Sequence, residues 1–141
     1  EIAFGGTSQP WHIDCTVFAP REGMIVQNPD WMPLTPEFHE LFELNGWQVV
    51  MGALPSRPKP HPYSFCSTYL SLNTFSLDPD TICVEAGEVA LMDQLDKLGF
   101  EVIPVEFFEV SPFGGGLHCA TTDVYRVGEC KDYFPKQIPG F

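Results

Sequence analysis

Apolar residues recur at helical spacing in two stretches of the chain. In residues 36–45, Phe38, Leu41 and Phe42 fall on one face of a helix. Residues 88–98 repeat the pattern with a stripe formed by Leu91, Leu95 and Leu98. The sequence therefore predicts two amphipathic helices, each with one face turned toward a core.

The ends of both helices carry the expected signals. Thr35 is a suitable N-cap and Pro36 suits the first helical position. Gly46 and Gly99 are expected to end the helices. Each glycine is followed by an aromatic residue that opens an apolar run with strand character, and the two glycines are 53 positions apart. This spacing indicates an internal repeat.

Each helix is preceded by two strand-like runs and followed by a third, which gives a strand-strand-helix-strand unit. The predicted strands are residues 12–19, 24–27 and 47–53 in the first unit and residues 68–77, 81–85 and 100–110 in the second. Turns are expected at 20–23 and 78–80, and a third unit is expected to begin with a strand at 117–124. Because one unit cannot cover its own sheet, the repeat predicts an α/β assembly of units packed around an axis.

Composition narrows the class of protein. The 141 residues are 44% hydrophobic and 18% charged, which fits one ordinary globular domain. A net charge of −12 with only seven lysines and arginines argues against nucleic-acid binding. The acidity fits a cationic substrate, although it also serves solubility alone. The apolar runs are too short for a membrane span.

The five cysteines are odd in number and include no closely spaced pair, so a disulfide framework and a zinc site are not predicted. A reduced, cytoplasmic protein fits best, with a mitochondrial location as the alternative. The chain opens at Glu1 in a stretch that is typical of a protein interior. We therefore expect a fragment, without a visible targeting peptide.

Candidate chemistry lies at the starts of the units. His12 and Asp14 alternate along the first predicted strand, and Cys119 follows a run of three glycines that would allow close backbone approach. Units packed around an axis would bring His12 and Cys119 together as base and nucleophile. The alternatives are a solvated strand face for His12 and Asp14 and a buried, inert Cys119. The spacing of these residues and His118 matches no metal motif, so neither a metal nor a cofactor is predicted.

From about Gly6 to Tyr133 the chain resembles the C-terminal portion of the amidinotransferase family. The motifs that carry the resemblance are Trp11-His12-Ile13-Asp14, Gln27-Asn28-Pro29-Asp30, Ser71-Leu72-Asn73 and Gly114-Gly115-Gly116-Leu117-His118-Cys119-Ala120-Thr121-Thr122-Asp123-Val124. The resemblance implies part of the five-bladed α/β-propeller called the pentein fold. Residues 1–141 would then form about two blades and a closing strand segment of one catalytic domain, with the N-terminal blades upstream.

The resemblance also implies roles for individual residues. Cys119 would be the nucleophile and His12 the general acid and base. Asp14 would hold the guanidinium group, and Ser67 would help to bind the carboxylate of the donor, L-arginine. The carboxylate that partners the histidine in the family, and a further guanidinium-binding aspartate, precede this segment. Residues 1–141 alone are therefore expected to be inactive.

Two departures from the family pattern concern the substrates. Creatine-pathway members carry an arginine after the Asn-Pro-Asp segment that clamps the donor carboxylate, where this chain has Trp31. Arg21 is one candidate to take over the role of that arginine. Those members have Asn-His-Met just before the histidine, where this chain has Gln9, Pro10 and Trp11. Because these positions shape the acceptor site, Gln9, Trp11 and Trp31 disfavour glycine as the acceptor.

The resulting prediction is an amidinotransferase of secondary metabolism, such as a saxitoxin-like guanidinium-toxin pathway, with an amine acceptor other than glycine. The alternatives are an arginine:glycine enzyme of creatine-type metabolism, a hydrolase similar to arginine deiminase, and a binding protein that kept the fold without the activity. Expected partners are L-arginine and the acceptor amine, without nucleic acid or membrane, and with a homodimer as one option for the assembly.

Overall fold

The chain builds two successive units with the same order of elements. The computed structural model describes residues 13–29, 34–56, 68–125 and 127–140, with only the backbone described at residues 15, 68 and 69. Each unit has a three-stranded sheet with one helix that connects its last two strands.

The first unit contains strands β1 (Val17–Arg21), β2 (Met24–Gln27) and β3 (Gln48–Met51) and helix α1 (Pro36–Leu44). Strand β1 is antiparallel to β2, and Gly23, with φ of 80°, lies in the tight turn between them. Strand β3 pairs in parallel with β2 after the chain crosses over through α1.

The second unit repeats this topology with strands β4 (Phe75–Ser76), β5 (Thr81–Glu85) and β6 (Glu101–Val105) and helix α2 (Val89–Lys97). Strand β4 is antiparallel to β5, and β6 is parallel to it. The predicted strand-strand-helix-strand unit is therefore confirmed twice. A five-bladed ring needs more units than these, so the propeller stays a prediction.

A hydrophobic cluster of buried residues joins the two units. Met24 and Val26 of β2 lie in the same buried cluster as Ile82 and Val84 of β5. Leu72, Leu91, Leu95 and Phe100 complete this cluster. Since both sheets contribute buried side chains to one core, neither unit buries its apolar surface by itself.

Polar contacts tie the units together at their edges. The Arg21 guanidinium donates from Nη2 to the Leu98 carbonyl oxygen over 3.0 Å and lies 4.3 Å above the Phe100 ring. The Gln94 side chain spans the other edge, where it accepts from the Ala53 N–H and donates to the Met51 carbonyl, both over 2.7 Å.

The two helices match their predictions in position but differ in burial. Helices were predicted at 36–45 and 88–98, and α1 and α2 lie within one residue of those bounds, with Thr35 and Glu88 at the N-caps. Helix α2 buries Leu91 and Leu95, whereas α1 has no fully buried residue. The face of α1 that the pattern assigns to the core is only half-buried.

A C-terminal segment packs against that face of α1. Phe134 stacks on Trp47 with ring centroids 5.5 Å apart and meets Phe42 edge-on. Asn45, the C-cap of α1, donates to the Lys136 carbonyl over 2.8 Å and accepts from its N–H over 3.0 Å. Trp47 therefore belongs to a half-buried aromatic cluster rather than to the fully buried core.

Several predicted strands are wrong over part of their length. Residues 12–19 contain a 3-10 helix at Ile13–Cys15 before β1, and residues 68–77 contain a 3-10 helix at Thr68–Leu72 before the two-residue β4. Strand β6 ends at Val105 rather than continuing to 110, and a 3-10 helix follows at Ser111–Phe113. Residues 117–124 form turns and irregular structure, not a strand.

The structure shows a physical cause for the absence of a strand at residues 117–124. The N–H groups of Gly116 and Cys119 are taken up by a buried side chain, so they do not pair with a neighbouring strand. Apolar runs indicate burial, but a 3-10 turn and a short strand bury side chains equally well. Among the residues that the structure describes, no helix is both long and apolar enough to span a bilayer.

Candidate functional site

The loop that carries Cys119 depends on three glycines. Gly114 and Gly115 have φ of 102° and 108°, which side-chain-bearing residues rarely adopt. A Cβ on Gly115 would lie 2.5 Å from the Cys119 Cβ, and one on Gly116 would lie 2.8 Å from the Asn73 Cβ. The glycines therefore let the loop fold back on itself and lie directly against Asn73.

A tight turn then presents Cys119 to solvent. The Ala120 N–H donates to the Gly116 carbonyl over 3.1 Å, and the Thr121 N–H donates to the His118 carbonyl over 3.2 Å. Cys119 is exposed and carries a free thiol. The alternative of a buried, inert cysteine in a strand does not hold.

Asp14 meets this loop from the first unit. It lies in the 3-10 helix Ile13–Cys15, and its Oδ2 lies 3.9 Å from the Cys119 sulfur although the two residues are 105 positions apart. The same oxygen lies 3.3 Å from Nδ1 of His118, whose side chain is 63% exposed. The His118 imidazole and the Cys119 thiol thus both lie close to the same carboxylate oxygen of Asp14.

The other oxygen of Asp14 is the unusual atom of the site. The Asp14 side chain is only 17% exposed, and its Oδ1 is buried with no hydrogen-bond partner among the described residues. A buried carboxylate oxygen without a donor is costly, since charged groups lose hydration on burial. The oxygen is therefore available to a ligand that brings N–H donors.

Asn73 connects Asp14 to the cysteine loop. Its Oδ1 accepts from the N–H groups of Gly116 and Cys119 over 3.0 and 3.1 Å, and its Nδ2 donates to Asp14 Oδ2 over 2.7 Å. The backbone carbonyl of Asn73 also accepts from the His118 N–H over 3.3 Å. No role was predicted for Asn73 from the sequence. The available signal was its place in the motif Ser71-Leu72-Asn73, where a polar residue directly follows the apolar Leu72.

A cavity of about 520 Å³ opens beside this cluster, between the first strands of the two units. Asp14 and His118 form part of its wall, with Phe18, Phe75 and Thr121 among the other lining residues. Cys119 contacts the wall at Asp14 but does not itself line the cavity. A cavity of this size and mixed lining has room for a small polar molecule.

Apart from Arg21, the sequence assigns seven side chains to the site, and the structure brings two of them, Asp14 and Cys119, together. The remaining five lie outside the described residues, so their placement stays a prediction: His12, Gln9, Trp11, Trp31 and Ser67. Asp14 was expected on a strand face beside His12, and it lies in a 3-10 turn instead.

Arg21 was the candidate replacement for the arginine that clamps the donor carboxylate. Its guanidinium is instead engaged with the Leu98 carbonyl and the Phe100 ring, and Asp80 lies 3.8 Å away. These contacts place Arg21 between the two units and give it a structural role.

In the part of the chain that the structure describes, no group of three side chains is arranged to hold a metal ion.

Comparison with known proteins adds curated relatives to this geometry, although no family model matches the chain. The mitochondrial glycine amidinotransferase of Xenopus tropicalis is 37% identical over 125 residues, which cover 89% of this chain and 29% of the relative. The L-arginine:L-lysine amidinotransferase of Pseudomonas savastanoi pv. phaseolicola is 31% identical over 124 residues, which cover 88% of this chain and 33% of the relative.

Solved structures give the same picture. SxtG, an amidinotransferase of the saxitoxin biosynthetic pathway of Microseira wollei, superposes with a TM-score of 0.77 at 29% identity, over 89% of this chain and 34% of its own. The inosamine-phosphate amidinotransferase StrB1 of Streptomyces griseus superposes with a TM-score of 0.68 at 29% identity, over 87% and 35%. The chain thus spans about a third of the length of the proteins it matches.

Proposed function

We propose that this chain, a homologue of the amidinotransferases, is part of an enzyme that moves the amidino group of L-arginine to an amine through a covalent amidino-cysteine. One observation carries the proposal. The exposed thiol of Cys119 lies 3.9 Å from a carboxylate, Asp14, whose second oxygen is buried and has no partner among the described residues. This pair suits the planar guanidinium cation of arginine. The free carboxylate oxygen of Asp14 can accept its N–H groups, and the Cys119 sulfur can attack its central carbon.

The proposed first half-reaction begins with the guanidinium group of arginine held against Asp14. The Cys119 sulfur attacks the guanidinium carbon and forms a C–S bond. The bond from that carbon to the side-chain nitrogen of arginine then breaks, and ornithine leaves with a proton supplied by His12. An amidino group remains on Cys119.

In the second half-reaction an acceptor amine attacks the same carbon. A C–N bond forms, the C–S bond breaks, and Cys119 is regenerated as the thiolate. His12 takes the proton that the amine loses. His12 and the donor-carboxylate contact of Ser67 enter through the family resemblance, whereas Asp14 and Cys119 are supported by their proximity.

For the acceptor we propose an amine other than glycine, in a secondary-metabolite pathway of the saxitoxin-like type. The replacements at Gln9, Trp11 and Trp31 motivate this choice, since they change positions that shape the substrate site in the family. The superposition on SxtG, an amidinotransferase of saxitoxin biosynthesis, supports it.

A creatine-type arginine:glycine enzyme is the second candidate. The 37% identity to the glycine amidinotransferase of Xenopus tropicalis favours it, and this relative covers 89% of the chain. The two candidates differ in the amine that accepts the amidino group.

The deciding experiment uses the full-length protein with arginine and, in turn, glycine, lysine, other candidate amines and no amine. Ornithine formed beyond one equivalent per enzyme only when a non-glycine amine is present supports the proposal. Efficient conversion of glycine to guanidinoacetate would establish the creatine-type candidate instead. Urea and ornithine formed without added amine would mean that water attacks the amidino-cysteine. Citrulline and ammonia would mean that ammonia leaves in place of ornithine before water attacks, and either pair of products would make the protein a hydrolase.

A Cys119→Ser variant is the control for the chemistry. We expect it to remain folded and to lose turnover by at least about 10³-fold, because a serine hydroxyl is a far weaker nucleophile than a thiolate. Intact-mass measurement of the wild type with arginine should detect the added amidino group, and the variant should lack it. A variant that turns over as fast as the wild type would exclude Cys119 as the nucleophile.

A further inference from the structure

Asn73 uses every polar atom of its side chain at the candidate site. It lies between the 3-10 helix Thr68–Leu72 and β4, and it is 4% exposed. Its amide oxygen receives two backbone N–H groups from the cysteine loop, and its amide nitrogen donates to Asp14. One buried side chain therefore sets both the loop that carries Cys119 and the carboxylate next to it.

Hydrogen-bond chemistry fixes the orientation of this amide. The N–H groups of Gly116 and Cys119 only donate, so the amide oxygen has to face them. A carboxylate only accepts when ionised, so the amide nitrogen has to face Asp14. Among side chains of this size only asparagine offers a double acceptor and a donor in this arrangement.

The space around Asn73 is equally restrictive. A Cβ added to Gly116 would lie 2.8 Å from both the Cβ and the Oδ1 of Asn73 and 3.0 Å from its carbonyl oxygen. The loop therefore lies directly against the Asn73 amide. A glutamine at position 73, which is longer by one methylene, would displace the loop.

We infer that Asn73 is a positioning residue that sets the separation between the Cys119 sulfur and the Asp14 carboxylate. The inference deepens the proposed function and rests on it for the identity of the reaction. A guanidinium held by Asp14 presents its carbon to the thiol only if both groups keep their relative position. Misplacement by about 1 Å costs on the order of 10²-fold in rate.

The Asn73→Asp variant keeps the hydrogen bonds that the amide oxygen accepts and removes the one that the amide nitrogen donates. Its oxygen still receives the two loop N–H groups, but a carboxylate replaces the donor that lies 2.7 Å from Asp14. The ionisable groups that face Asp14 from the described residues are His118, at 3.3 Å, and Cys119, at 3.9 Å. At neutral pH the new carboxylate repels Asp14, whereas at lower pH a single shared proton restores a donor between them.

The test compares wild-type and variant full-length protein for steady-state ornithine release across pH, with arginine and an amine that supports turnover of the wild type. We expect Asn73→Asp to lower kcat by about 100-fold near pH 8 and to regain about tenfold, relative to the wild type, near pH 6. The matched control is Asn45→Asp, because Asn45 makes a similar amide clamp on Lys136, away from the site. The kcat of Asn45→Asp, divided by that of the wild type, should not vary with pH.

Melting temperatures over the same pH range separate positioning from folding. Recovery of kcat that exceeds any recovery of folded fraction supports the inference. Activity of Asn73→Asp within about twofold of the wild type at pH 8, or a variant-to-wild-type ratio that is constant with pH, would overturn it.

A second measurement needs no variant and does not depend on the reaction. In the wild type, the amides of Gly116 and Cys119 should exchange with deuterium much more slowly than that of the 93%-exposed Val124, because both donate to a buried oxygen. Equal exchange rates for these three amides would show that Asn73 does not hold the loop in this way. If the wild type makes no ornithine while these amides are protected, the proposed function fails and the placement by Asn73 stands.

Discussion

Gly116 lies against the amide of Asn73, so the absence of a side chain there is a requirement of the site. Unlike Gly114 and Gly115, it is not held in the left-handed region, and its constraint is purely steric. Glycine at this position allows close approach of two backbones rather than an unusual conformation. The distinction gives a direct test.

We expect Gly116→Ala to destabilise the protein by about 1–3 kcal/mol, because the added methyl has to push Asn73 aside. The matched control is Gly128→Ala, since a Cβ there meets nothing within 4 Å. That change should stay within about 0.5 kcal/mol. Urea unfolding followed by fluorescence measures both, and equal effects of the two variants would contradict the steric argument.

The cysteines should differ in reactivity according to burial. Partial burial raises the pKa of the Cys83 thiol, because the charged thiolate is disfavoured away from water. A raised pKa leaves a smaller thiolate fraction at a given pH, so Cys83 should be alkylated more slowly than the exposed Cys119 and Cys130 near pH 8. Iodoacetamide labelling with peptide mass spectrometry measures the three rates, and a Cys83 that reacts first would contradict the prediction.

At the scale of elements, the two helices have the same design but different surroundings. Helix α2 buries two leucines in the core that the sheets share, whereas α1 is covered only in part, by the aromatic residues of the C-terminal segment. Amphipathic spacing describes which face is apolar, and the packing partner decides how deeply it is buried.

Equivalent leucine truncations in the two helices should therefore have unequal cost. Leu95→Ala removes a fully buried side chain and should destabilise by about 2–5 kcal/mol. Leu41→Ala, in the half-buried face of α1, should cost about 1 kcal/mol. Denaturant unfolding of both variants measures the difference, and a larger loss for Leu41→Ala would mean that α1 is the more deeply packed helix.

At the scale of the whole molecule, the two units are joined by a common core and by a side chain that crosses between them. Arg21 contacts the end of α2 and the Phe100 ring while it belongs to β1. The geometry of the site also depends on how the two units pack together, since Asp14 comes from the first unit and Cys119 follows the second. Stability and site geometry therefore rest on the same packing of unit against unit.

The two units should consequently unfold together. We expect the amides of Val26 and Ile82, one from each sheet, to open with the same free energy in native-state hydrogen exchange. Arg21→Gln should lower both by a similar amount, about 1–2 kcal/mol, because it removes a charge-assisted hydrogen bond and a cation–π contact. Two separate opening energies, or a change confined to one sheet, would show that the units are independent.

The sequence alone determined the repeated unit, the positions of both helices, strands β2 and β5, and the candidacy of Cys119. These features follow from local signals: helical spacing, Pro36 at a helix start, glycines at helix ends and glycines before the cysteine. Tertiary structure alone decided the 3-10 turn that carries Asp14, the clamp by Asn73 and the engagement of Arg21. The reason is physical, since these depend on hydrogen bonds between residues 59, 46 and 77 positions apart, which no local periodicity encodes.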